Sequence, residues 1–260
     1  MYGIVFGKRN VYPDANGSYG AAYVGFAPIT NGGLDMRGFS SLAATGADAT
    51  SVSGTRVTVN KLKHDSNTNN VGGMLLTLHI KVSGQNVEVW LDEFDVRVEA
   101  TLQDSYEVGT ISLTAKEYKS GGGFKDLWIK EWSSVTPGPE PELPATPAVV
   151  GDSFNSNFTN LSGVSDLNAE FNSYYFESEA ATAVKGKPSE QWAVGEDIYT
   201  NNTPTALRNE WLKPVHAASG TKQTLLTYKR KVFTNVEIEA EYVTNHQEYG
   251  VMIAPEGELA

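Results

Sequence analysis

The sequence predicts an all-β fold, a sandwich of two sheets, from three observations. Hydrophobic residues alternate at period two in many short runs, Gly- and Asn-rich turns separate those runs, and no long stretch keeps a helical period. A strand that alternates in this way buries one face and wets the other, as sheets covered on one side require.

In chain order, strands are expected at 56–60 (RVTVN), 74–82, 86–91 (NVEVWL), 96–101 (VRVEAT), 110–115 (TISLTA), 126–131 (DLWIKE) and 236–242 (VEIEAEY). Within 74–82, Met74, Leu76, Leu78, Ile80 and Val82 share a face that His79 opposes. Trp90 opposes Val89 and Leu91 in the same way. In the last run Val236, Ile238, Ala240 and Tyr242 face one side, and Glu237, Glu239 and Glu241 the other. Asp92 to Asp95 read as the turn of a hairpin between VEVWL and VRVEAT. The best helical stretch, Leu207 to Leu212, is short and stopped by Pro214.

Composition sets the class. The 260 residues are 40% apolar and 10% aromatic, enough for a sizeable core, and they contain no cysteine. Disulfides, thiol nucleophiles and Cys-ligated zinc are therefore excluded. The net charge of −11 argues against nucleic acid and anionic membranes as partners. No apolar run reaches the ~20 residues of a membrane-spanning helix, and residues 1–10 lack the charged start and cleavage site of a signal peptide.

Five of the eleven prolines fall between Thr136 and Pro147. Proline fixes φ and donates nothing to a ladder, so 136–150 reads as a semi-rigid linker between blocks 1–135 and 151–260. The flanks of the chain carry related strands. Tyr2-Gly3-Ile4-Val5-Phe6-Gly7 and Tyr249-Gly250-Val251-Met252-Ile253-Ala254 are both Tyr-Gly followed by an apolar run, 247 positions apart.

The content of each block carries a resemblance. The C-terminal block holds Asp152-Ser153-Phe154, Phe171 to Tyr175, Gln191-Trp192, Leu225 to Lys229, Phe233 to Tyr242 and Tyr249 to Met252. It resembles the opening half of a concanavalin-like jelly roll, of the type in carbohydrate-binding family 66 modules and DUF1080 (3-keto-disaccharide hydrolase-like) domains. The N-terminal block, with Gly72 to Val82, Val87 to Asp92, Tyr106 to Leu113 and Phe124 to Ile129, resembles the closing half. The expected fold is thus a concanavalin-like β-sandwich (jelly roll) built from a closing half followed by an opening half. Two origins fit that order: one unit of a tandem array cut inside a domain, or a circular permutant closed through the linker.

The resemblance implies glycan binding or adhesion by a non-catalytic repeat of a bacterial surface or secreted protein. Tyr19, Tyr23 and Trp90 are the candidate aromatic ligand surface, with Glu237 and Glu239 as acceptors for sugar hydroxyls. Jelly rolls of this type often carry a structural Ca²⁺ near the first and last strands, which makes Asp126 and Asp152 the candidate ligands. Glu93-Phe94-Asp95 invites comparison with a glycosidase carboxylate pair, but Glu99 falls two positions late for that strand and Glu93 belongs to the turn. A glycoside-processing enzyme is accordingly the third reading. The second is a structural repeat that self-associates head to tail through the strands at Tyr2–Gly7 and Tyr249–Ala254.

Overall fold

The computed structural model describes residues 22–27, 33–59, 72–103, 110–116, 123–131, 154–156, 164–176, 184–195, 211–214, 223–229, 233, 235–245 and 249–254. The strands of the first half are β1 (Tyr23–Ala27), β2 (Gly33–Arg37), β3 (Phe39–Thr45), β4 (Ala49–Ser53), β5 (Arg56–Val59), β6 (Gly72–Ser83), β7 (Asn86–Leu91), β8 (Arg97–Leu102), β9 (Thr110–Lys116) and β10 (Gly123–Glu131). Those of the second are β11 (Phe154–Ser156), β12 (Phe171–Phe176), β13 (Val184–Gly186), β14 (Trp192–Gly195), β15 (Trp211–Pro214), β16 (Gln223–Tyr228), β17 (Val236–Asn245) and β18 (Tyr249–Ala254). Two short helices, α1 (Val164–Glu170) and α2 (Pro188–Gln191), complete the described elements.

These strands form two sheets. The first runs β13-β12-β16-β9-β18-β1-β2-β5-β4, and the second β14-β15-β10-β17-β6-β7-β8-β3, with β11 also on β10. One hydrophobic cluster draws on both: Val24, Leu34, Met36 and Val57 from the first sheet, and Leu78, Ile80, Val89, Ile129 and Ile238 from the second. All of these side chains are shut off from solvent. The alternation in the sequence therefore does what it predicts, turning one face of each sheet toward a shared core.

The two sequence blocks are interleaved in both sheets. Strand β9 lies between β16 and β18, and β17 lies between β10 and β6. The β17–β6 ladder runs antiparallel from Val236 opposite Val82 to Asn245 opposite Gly72. Strand β11 pairs with β10, Phe154 opposite Ile129, so the exit of the first block adjoins the entry of the second. The linker 136–150 itself lies outside the described residues, as does the strand expected at Tyr2–Gly7.

Glycines mark the changes of direction. Gly38 (φ 80°) and Gly46 (φ 108°) stand where the chain leaves the first sheet for β3 and returns to it at β4. Gly54 and Gly84, both at φ 58°, sit in the two-residue turns of the β4–β5 and β6–β7 hairpins. Left-handed φ is costly for any side chain with a Cβ, which is why glycine occupies these corners.

Five elements depart from the sequence expectation. The strands β2, β3 and β4 lack strong alternation; the pattern in β3 is one of partly buried and exposed residues only, as befits an edge. Trp211 and Leu212, the end of the best helical stretch, belong to strand β15. Leu212 is fully buried opposite Phe124, and that tertiary burial outweighs local helix preference. Helix α1, in which Leu167 is buried, has only seven residues, too few for a periodic signal to stand out. Among the described residues no helix is long and apolar enough to cross a membrane.

Candidate ligand-binding face

The face of the second sheet turned away from the core is built by the positions that alternate with core residues. On β17, Val236, Ile238 and Ala240 point inward and Glu237, Glu239 and Glu241 outward. Register then decides which outward groups meet. Trp128 lies opposite Glu239, Glu239 opposite His79, His79 opposite Trp90, and Trp90 opposite Arg97. Five strands thus place indole, carboxylate, imidazole, indole and guanidinium in one row, about 19 Å long at the usual strand spacing.

From Glu239 to Arg97 the groups of that row meet one another. The His79 and Trp90 rings stack with centroids 4.7 Å apart and planes 2° from parallel. The Arg97 guanidinium carbon lies 5.0 Å from the Trp90 ring centroid. Trp90 is therefore held between two neighbours, and what it offers a ligand is its edge. His79 Nε2 lies 3.0 Å from Asp92 Oδ1, and its Nδ1 lies 3.7 Å from Glu239 Oε2. The Lys130 ammonium sits 3.1 Å from the Trp128 centroid, a cation–π contact made within β10. Trp128, Glu239 and Trp90 are each partly buried and partly open to solvent.

A second row runs beside the first: Lys130, Glu237, Lys81, Glu88 and Glu99, each opposite the next. Its charges alternate until Glu88 meets Glu99, and there Arg97 Nη1 reaches Glu88 Oε2 at 3.5 Å. On the far side of the aromatic row, Asp126 lies opposite Glu241.

The structure brings together Trp90, Glu237, Glu239 and Asp126 of the residues singled out from sequence. Tyr23 goes elsewhere. It belongs to β1, whose partners are β2 and β18, so it lies in the first sheet while Trp90 lies in the second. The strands that carry Tyr23 and Trp90 thus belong to different sheets. Tyr19 and Asp152 lie outside the described residues. Of the proposed calcium ligands only Asp126 is described, and among the described residues no group of three or more His, Asp or Glu side chains is placed to hold a metal ion.

Glu93 and Asp95 have identifiable work in the turn 92–96. The Glu93 carboxylate accepts hydrogen bonds from the Thr77 backbone N–H at 2.9 and 3.0 Å and from the Thr77 hydroxyl at 2.9 Å. The Asp95 carboxylate accepts from the Ala47 N–H at 2.8 Å, and the Asp95 N–H donates to Asp48 Oδ2 at 3.0 Å. Both carboxylates fasten the β7–β8 turn to its surroundings.

Sequence reasoning missed Trp128 and Arg97 as members of the face. The available signal was phase: in DLWIKE, Trp128 alternates with Leu127 and Ile129, as Trp90 does with Val89 and Leu91. The chain matches no family model and no curated protein.

Proposed function

We propose that the chain is a non-catalytic glycan-binding module of a bacterial surface or secreted protein, a jelly-roll-like sandwich presenting its β10–β17–β6–β7–β8 face to a neutral glycan. The observation that carries this reading is the register row Trp128–Glu239–His79–Trp90–Arg97. Sugars combine apolar C–H patches with rings of hydroxyls, and they are held by aromatic surface beside fixed acceptors and donors. Trp128 supplies aromatic surface, Glu239 and Asp92 supply acceptors, and Arg97 and Lys130 supply donors. The row is fixed by strand pairing and stacking, so little ordering entropy remains to be lost on binding. A net charge of −11 favours a neutral ligand over an anionic one. Glycoside processing gains less support, because the carboxylate that suggested it, Glu93, is engaged with Thr77.

Calorimetric titration against a panel of neutral oligosaccharides up to millimolar concentration tests the reading. Trp128→Ala and Glu239→Gln are expected to weaken binding at least tenfold, about 1.4 kcal/mol each. Val52→Ala, at an exposed position on the first sheet, should leave it unchanged. The absence of any binder, or a binder indifferent to both substitutions on the face, sinks the proposal.

A further inference from the structure

Strand β18 occupies a slot that a second segment of the same chain is written to fill. Tyr249–Ala254 lies between β9 and β1, antiparallel to both. Position 251 stands opposite Leu113 and Val24, and position 253 opposite Ile111, all three partners being core residues. Position 250 stands opposite Thr114 and Gly25, in the phase that faces away from the core. The slot therefore asks for small, apolar, any, apolar, small over positions 250–254. Tyr2–Gly7 answers in the same order, with Gly3 for Gly250, Ile4 for Val251, Phe6 for Ile253 and Gly7 for Ala254. Fifteen residues separate Gly7 from Tyr23 of β1, enough chain for an antiparallel return beside β1.

We propose that Tyr2–Gly7 and Tyr249–Ala254 are interchangeable occupants of the slot between β1 and β9, and that the copy left out serves as a donor strand for the same slot in a second copy of this chain. One slot holds one strand and the chain carries two segments whose sequence suits it, so the slot can be filled from within the chain or by a second copy, each segment matching it in register and phase. Because donor and acceptor surfaces differ, such donation is heterologous and links copies head to tail. The inference stands apart from the glycan reading, since the slot lies in the first sheet and the aromatic row in the second.

The experiment uses the full chain in four forms: unaltered, Ile4→Asp, Val251→Asp, and both together. Hydrogen exchange at the amides of β1 and β9 reports whether the slot is filled. Each single variant is expected to keep protection within about tenfold of the unaltered chain, because the other strand takes the slot; the double variant should lose about a thousandfold or more. A synthetic peptide spanning 248–255 should restore protection to the double variant, and size measurement should show the double variant captured by the unaltered chain. Where the aspartates prevent folding, Ile4→Thr with Val251→Thr gives the same comparison in a milder form. Val251→Asp alone losing protection as completely as the double variant overturns the interchange. Failure of the peptide and of the unaltered chain to complement the double variant overturns donation between copies.

Discussion

Replacing Phe124 by alanine is expected to destabilise the protein by about 3–5 kcal/mol, the range for deleting a buried aromatic ring. Phe124 is fully excluded from solvent, opposite Tyr242 of β17 on one side and Leu212 of β15 on the other. Its ring centroid lies 6.4 Å from that of Trp192, which is itself 1% exposed. Alanine would leave a void beside an indole that has no room to collapse, so both the transfer and the cavity contributions are lost. Strands from both sequence blocks meet at this residue, and the loss is felt by both. For a chain of this size the unfolding midpoint should fall by roughly 10 °C. Val52→Ala, at an exposed position, should move it by no more than about a degree or two. Thermal unfolding followed by circular dichroism separates the two outcomes.

Gly46→Ala is the second large effect, at about 3 kcal/mol or more. Two costs add there. The residue has φ +108°, where an L side chain is strained, and an added Cβ would overlap the backbone carbonyl of Asp95. That carbonyl cannot move away freely, because it accepts the Asp48 N–H at 3.0 Å while the Asp95 side chain holds the Ala47 N–H. The comparison is Gly54→Ala, at φ 58° with nothing within 4 Å of the added carbon. It should cost about 1 kcal/mol, the left-handed penalty alone. Denaturant titration of the two variants should preserve that order; equal losses would mean that the corner at Gly46 is not held against Asp95.

Much of the second sheet is legible in the sequence because its strands carry a pure period-two signal. VEIEAEY and NVEVWL each state which side chains go inward, and the outward placing of Glu237, Glu239 and Trp90 follows from that phase alone. Strand order is a different matter. Nothing local in β17 says that its neighbours are β10 and β6, more than a hundred positions away, since pairing is decided by which apolar faces can share one core. For the same reason the row from Trp128 to Arg97 is invisible until register is known: each of its members comes from a different strand. Tyr23 shows the converse, since residues that read as one aromatic group in sequence are divided when their strands join different sheets. Strands such as β3, with partly buried and exposed residues and no fully buried one, leave too little hydrophobic contrast to read.

The interleaving of the two blocks within one chain is open to a direct chemical measurement, because the protein contains no cysteine to confuse it. Lys81 of β6 and Glu237 of β17 lie directly opposite each other, from blocks 1–135 and 151–260 respectively. Cross-strand neighbours have Cβ atoms about 4.5–5.5 Å apart, close enough for a disulfide after small adjustment. Mild oxidation of the Lys81→Cys, Glu237→Cys double variant, run on a non-reducing gel, should give a single cross-linked species at the mass of one chain. Free thiols after oxidation, or cross-links found only between chains, would contradict the account.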